Sequence, residues 1–195
     1  MDLLQPLIDY ATELRRIYGL QCEIDASLRQ WHDYLATCQP DKHMFFGRGD
    51  PNDQSSSFQY WALISDLSTK SARDGENSRR LRRMAIVFAY TQWDVEARQQ
   101  IASACGKEKN DILHPVFGDL NKLRQAVVHV SGRVDKNLEA MKFVQRGDVV
   151  DLSNEQFYEL FKTLTLSLND IAERYFSVRT DFTFDQRFEA PKPTI

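Results

Sequence analysis

Cysteine, glycine and proline are all scarce in this chain of 195 residues. Its three cysteines, Cys22, Cys38 and Cys105, are odd in number and far apart. That excludes a disulfide framework, and no Cys-x-x-Cys pair exists for zinc or redox chemistry. The expectation is reduced thiols in a cytoplasmic protein. Eight Gly and six Pro, mostly clustered, leave too few breaks for many short strands. No run of about 18 apolar residues exists, which excludes a membrane-spanning helix. Residues 1–10 carry Asp2 and Asp9 and no basic cluster, so they are not expected to act as a signal peptide. A net charge of only −3 with 42% hydrophobic residues excludes a disordered chain.

What is present is helical spacing. Leu3, Leu4, Leu7, Ile8, Ala11, Leu14, Ile17 and Tyr18 predict a first helix over 2–18, ended by Gly19. Ile24, Leu28, Trp31 and Leu35 predict a second over 23–37, and residues 39–57 read as a long loop. A third helix is expected over 57–71, and a fourth from Asp74 to Cys105, closed by Gly106. A fifth should start at Asp119 as its cap and end near Gly132. Two β-prone runs flank Gly147, predicting a small hairpin or extended turn. Ser153-Asn-Glu-Gln156 is a capping box, opening a last helix with Phe157, Leu160, Phe161, Leu164, Leu168 and Ile171 on one face. The expected fold class is therefore all-α, a helical bundle with long helices and a short β-like turn before the last one. Residues 1–73 are expected to form an N-terminal helical extension packed on the core, 74–180 the helical core, and 181–195 a C-terminal tail.

The small net charge hides an asymmetry. Residues 1–69 hold 5 basic and 10 acidic side chains, residues 70–146 hold 15 and 9, and residues 147–195 hold 5 and 9. The basic excess is densest at Arg79-Arg80-Leu81-Arg82-Arg83, with Leu81 and Met84 left for the core. Charge alone would draw a phosphate-rich partner to it. The alternative is a solvated face whose arginines pair with Asp74, Glu76 or acids of the N-terminal helices.

The fifth helix is the informative one. On a wheel of 100° per residue, Leu120, Leu123, Val127 and Val130 fall within about 80° of one another. Arg124, Val128, Gln125 and His129 then sweep from about 40° to about 180°. That is an odd face for solvent, and a symmetric dimer would cover it. The plainer reading is a helix buried on most sides with a histidine favoured by its C-terminal dipole.

Arg124-Gln-Ala-Val-Val-His129 resembles the signature of the HEPN superfamily (higher eukaryotes and prokaryotes nucleotide-binding domains): an arginine, four to six residues, then a histidine at the end of a helix. The surroundings are similar to one bacterial group of that family. They comprise Gly118-Asp119-Leu120 before the motif, Gly132 after it, and a long preceding helix with Phe88-Ala-Tyr-Thr-Gln-Trp-Asp-Val-Glu-Ala-Arg98 at its centre. A Gly147-Asp148 turn and a final amphipathic helix complete the likeness. The resemblance covers residues 74–178. One departure is Gln125, where active members commonly carry Asn, Asp or His.

The resemblance implies a metal-independent endoribonuclease without cofactor, acting as a homodimer through the helix that carries Arg124 and His129. RNA carries its own nucleophile in the 2′-hydroxyl. An imidazole such as that of His129 exchanges protons near neutrality, and Arg124 could hold the scissile phosphate in a bidentate fork. Gln125 would orient the phosphate or the ring. Glu96 and Asp94 could pin either residue, or be ordinary surface acids. Arg79, Arg80, Arg82, Arg83, Lys122 and Arg133 are candidates for the RNA backbone. Such domains are often toxins or effectors of bacterial conflict systems, which implies a restraining antitoxin or regulatory protein. The alternatives are a non-catalytic module of the same family, binding RNA, a nucleotide or a protein, and a plain structural bundle. His32, Cys38 and His43 fit no familiar metal-ligand spacing.

Overall fold

A computed structural model describes residues 3–48, 50, 53, 55–129 and 132–185. Helix accounts for 62% of the described residues. The elements are α1 (Gln5–Leu35), β1 (His43–Arg48), β2 (Ser57–Leu63), α2 (Ile64–Ser71), α3 (Glu76–Gln92), α4 (Arg98–Ala104), α5 (Pro115–His129) and α6 (Asn154–Phe176). A π-helical segment, Trp93–Ala97, joins α3 to α4 without a break. No helix among the described residues is long and apolar enough to cross a membrane.

The fold is broadly helical but not purely all-α. Residues 43–48 and 57–63, expected as loop and as the start of a helix, form an antiparallel hairpin. Its strands, His-Met-Phe-Phe-Gly-Arg and Ser-Phe-Gln-Tyr-Trp-Ala-Leu, are rich in the aromatic residues that suit a pleated surface. The helix expected over 57–71 accordingly shrinks to α2. The two N-terminal helices are one: α1 runs straight through Gly19, whose missing side chain leaves open space and strains nothing. A glycine inside a helix costs about 1 kcal/mol, which 31 residues of helix can absorb.

The chain divides into two compact units. The smaller is Leu20–Arg82, and the larger is Met1–Gly19 with Arg83–Ile195. The sequence places a boundary at 73/74 instead, and the first helical turns fall with the larger unit. The smaller unit is centred on Leu35, Ile64 and Leu67, with Trp31 packed against them. Here Arg82 is only 2% exposed, and Met84, just beyond the unit, is 66% exposed. This reverses the expectation for both. Arg82 is drawn inward because Asp74, Asp25 and Ser78 accept from its guanidinium at 2.5, 3.2 and 2.9 Å.

The larger unit buries Leu7, Tyr10 and Leu14 of α1 against Trp93, Phe117, Phe157 and Phe161. Trp93 stacks on Phe117 with ring centroids 3.6 Å apart. Trp93 is thus a core aromatic, whereas Trp61 lies 61% exposed on the hairpin. The helix α5 begins at Pro115, four residues before the expected cap. Proline suits the first helical position, and the His114 ring accepts from the Val116 N–H. Beyond α5, Gly132 turns back at φ +82° and donates to Ala126. The Gly147 turn is present, but its flanking runs do not pair with each other. Val134 donates to Asp148, Gly147 to Val134 and Val150 to Gly132, so the strip joins the residues after α5.

The capping box forms as the sequence indicates. The Ser153 hydroxyl accepts from the Gln156 N–H at 3.2 Å, and the Gln156 side chain accepts from the Ser153 N–H at 2.9 Å. Ser153→Ala is expected to cost about 1 kcal/mol, read as a lower urea midpoint with unchanged slope.

Candidate active site

The site is built on α5 and on the run from α3 through the π segment to α4, all within the larger unit. Trp93 stacks on Phe117, and Arg124 lies near enough to Tyr90 to act on its hydroxyl. The two helical runs are therefore antiparallel neighbours. Burial raises the Tyr90 pKa and the Asp94 charge adds to this, while the Arg98 and Arg124 charges oppose it.

Arg124 is half-buried on α5. Its Nε is buried without a hydrogen-bond partner, and no hydrogen bond or ion pair reaches the rest of its guanidinium among the described residues. Gln125 is half-buried beside it. His129 is the last residue of α5 and is exposed. It lies five positions beyond Arg124, so the two point about 140° apart. Gln125 and His129, four apart, share a face, and no hydrogen bond joins Arg124, Gln125 and His129 to one another among the described residues. Val130, placed with the apolar face by the sequence, lies outside the described residues.

The two acids part company. Arg98 and Lys109 each donate to Asp94 at 3.1 Å. Burial would raise its carboxyl, but those two bonds outweigh burial and hold it below its ordinary value. Its charge is thus spent on Arg98 and Lys109 rather than on Arg124. Glu96 lines a separate groove with Asp9, Glu13 and Arg16 of α1. Two positions apart on one helical run, the two acids point to different sides; the π turn that holds both is of a kind that recurs at functional sites.

Most of the basic candidates are occupied. Arg80 pairs with Glu76 and Arg82 with Asp74 and Asp25, which is the pairing alternative for that run. Arg83 donates to the Val150 carbonyl and to Asp151 at 2.7 and 2.9 Å. Arg133 donates to the Gly147 carbonyl. Lys122 binds Asp119, Glu139 and the Asn137 carbonyl. Arg79 is exposed.

Asp119 caps no helix. It is fully buried inside α5, where it accepts from the backbone N–H groups of Glu139, Ala140 and Met141 at 2.7–3.0 Å. Burial would raise its carboxyl, yet these bonds and Lys122 outweigh burial and lower it.

Sequence reasoning missed a cleft of about 510 Å³ at the start of α5, lined by Tyr90, Arg98, His114, Asn121, Glu139 and Arg174 among others. Its one sequence signal is the spacing of four between Tyr90, Asp94 and Arg98. The rest comes from segments far apart in the chain. His114, just before α5, forms part of this wall. Among the described residues no three His, Cys, Asp or Glu side chains converge as metal ligands would. His32 contacts Ser68 instead. No protein-family model, curated protein or solved structure matches the chain.

Proposed function

We propose that this chain is a metal-independent endoribonuclease of the HEPN type that works as a homodimer. The observation that carries the reading is Arg124. A guanidinium has five N–H donors and cannot shed its charge. Holding one half-buried with no acceptor is unfavourable unless a ligand supplies one. In this reading, which rests on the resemblance of the Arg124–His129 motif, that ligand is the scissile phosphate of RNA.

In the proposed reaction an imidazole takes the proton from the 2′-hydroxyl, whose oxygen bonds to phosphorus. The bond from phosphorus to the 5′-oxygen breaks, and a second imidazole, protonated, returns a proton to that oxygen. The products are a 2′,3′-cyclic phosphate and a 5′-hydroxyl, with no water consumed. Arg124 stabilises the charge that builds on the phosphoryl oxygens. Arg124 and His129 lie about 140° apart on one α5, and in this reading two copies supply the set. Exposed Met84, Phe88 and Val128 on α3 and α5 give the second copy an apolar surface to cover. The biological setting we propose is a toxin or effector in the bacterial cytoplasm, held in check by an antitoxin or regulatory protein.

One observation favours the non-catalytic alternative. Among the described residues no hydrogen bond orients the His129 ring, whereas working imidazoles are commonly held by a carbonyl or carboxylate. The test is incubation of the purified protein with end-labelled total RNA and tRNA in EDTA. Discrete fragments ending in 2′,3′-cyclic phosphate are expected. Retained RNA binding without cleavage would replace the enzyme by a binding module.

A further inference from the structure

The cleft at the start of α5 carries polar groups that the proposed reaction leaves unused. The Tyr90 hydroxyl and the Asn121 amide have no hydrogen-bond partner among the described residues. Arg98 is fixed by Nε–H to the Ile112 carbonyl and Nη1 to Asp94, which leaves its Nη2 unused. Arg174 donates from Nη1 to the Leu113 carbonyl at 3.2 Å, leaving Nε and Nη2. The His114 side chain is only 7% exposed, with Nδ1 accepting from Val116 and Nε2 donating to Asp170. Burial lowers its pKa, and Asp170 offsets this only in part, so this part of the wall is neutral. Glu139 is the one acid in the lining, and Lys122, which it shares with Asp119, donates to it at 3.1 Å.

The cleft thus presents two arginines from separate helices, each anchored by one end and open at the other. Anchoring by backbone carbonyls fixes the direction of the open donors before any ligand arrives, which lowers the cost of binding. The start of α5 adds favourable potential for an anion. Arg174 brings a guanidinium that no acid pairs among the described residues, Arg98 adds the N–H groups left over from its bond to Asp94, and guanidinium forks suit phosphate oxygens. A volume of about 510 Å³ leaves space beyond the phosphate for a sugar and base.

We propose that this cleft binds a phosphate monoester carried on a nucleoside, with the phosphate between Arg98 and Arg174 and the base toward Tyr90 and Asn121. The ligand is either a free mononucleotide or the 5′-phosphorylated end of an RNA. The proposal stands on groups other than His129, so it does not need the ribonuclease reading.

The test is calorimetric titration of the full chain with adenosine monophosphate, adenosine, and a short RNA bearing either a 5′-phosphate or a 5′-hydroxyl. Adenosine monophosphate is expected to saturate the protein, and adenosine to bind at least about tenfold more weakly. Arg174→Gln keeps a donor for the Leu113 carbonyl, so the fold survives. It is expected to weaken the monophosphate at least about tenfold, and Asn121→Ala to weaken it less. A 5′-phosphorylated RNA that outbinds the monophosphate would assign the RNA end as the ligand, and the reverse would assign the free nucleotide. Equal binding of adenosine and its monophosphate, no saturation by either, or an unchanged affinity in Arg174→Gln would overturn the proposal. His129→Ala is expected to bind the monophosphate as the wild type does. Monophosphate binding without RNA cleavage keeps the cleft and removes the enzyme, and cleavage without monophosphate binding does the opposite.

Discussion

Asp119→Ala is expected to lower the melting temperature by roughly 10 °C, from a loss of about 3–5 kcal/mol. The Asp119 side chain has no exposed surface, and its two oxygens collect three backbone N–H groups and the Lys122 ammonium. Those N–H groups belong to residues 139–141, in the segment that carries the chain from α5 to α6. Removing the carboxylate strands the donors in a buried place. Asp119→Asn keeps one acceptor but turns an amide N–H₂ toward some of those donors, so it should recover less than half of the loss. Acid should act in the same direction. The native carboxyl titrates below its ordinary value, so its stabilisation is complete above about pH 4, the unfolded value. That stabilisation fades as pH falls through the lowered native value. A pH series of melting curves should show wild type losing stability on acidification in a way that Asp119→Ala lacks. Matching slopes below pH 4 would sink the assignment.

How much of the molecule is legible in its sequence depends on whether a residue's fate is decided nearby in the chain. The Ser153 capping box is readable because its bonds close within three residues. So is the helical nature of α5 and α6, since one apolar face repeats along each. Gly106 and Gly132 are readable as stops because a positive φ is a local demand. Arg82 is not. An arginine enters a core only when acids from elsewhere meet it, and Asp25 lies 57 residues away. The hairpin escapes for a different reason. Its aromatic residues are present, but 39–57 reads as a loop and 57–71 as a helix, and only pairing across the loop decides. Asp119 reads as a cap, and the helix instead begins earlier because proline and the His114 ring serve the first turn. The cleft draws on α4, α5 and α6 at once, so no window of sequence could outline it. The Arg124 and His129 pair is visible as a motif, while the absence of any protein partner for Arg124 among the described residues is not.

That absence leads to the second large effect. Arg124→Ala and His129→Ala are each expected to slow RNA cleavage roughly 10³-fold, one by losing charge stabilisation and the other by losing proton transfer. Both should leave the melting temperature within about 2 °C of wild type, because neither side chain holds the fold through a hydrogen bond or ion pair among the described residues. Arg124→Ala should even rise slightly, since it removes a half-buried cation with no acceptor. Arg124→Lys keeps the charge but loses the fork, so its rate should fall between wild type and Arg124→Ala. The contrast with Asp119, five residues earlier on the same helix, gives the experiment its power. A structural residue lowers stability and reduces activity only in proportion to the protein unfolded, whereas a residue kept for a ligand loses activity at full stability. If Arg124→Ala instead melts far below wild type, its guanidinium serves the fold. If it melts normally and cuts RNA normally, the phosphate role assigned to it is wrong.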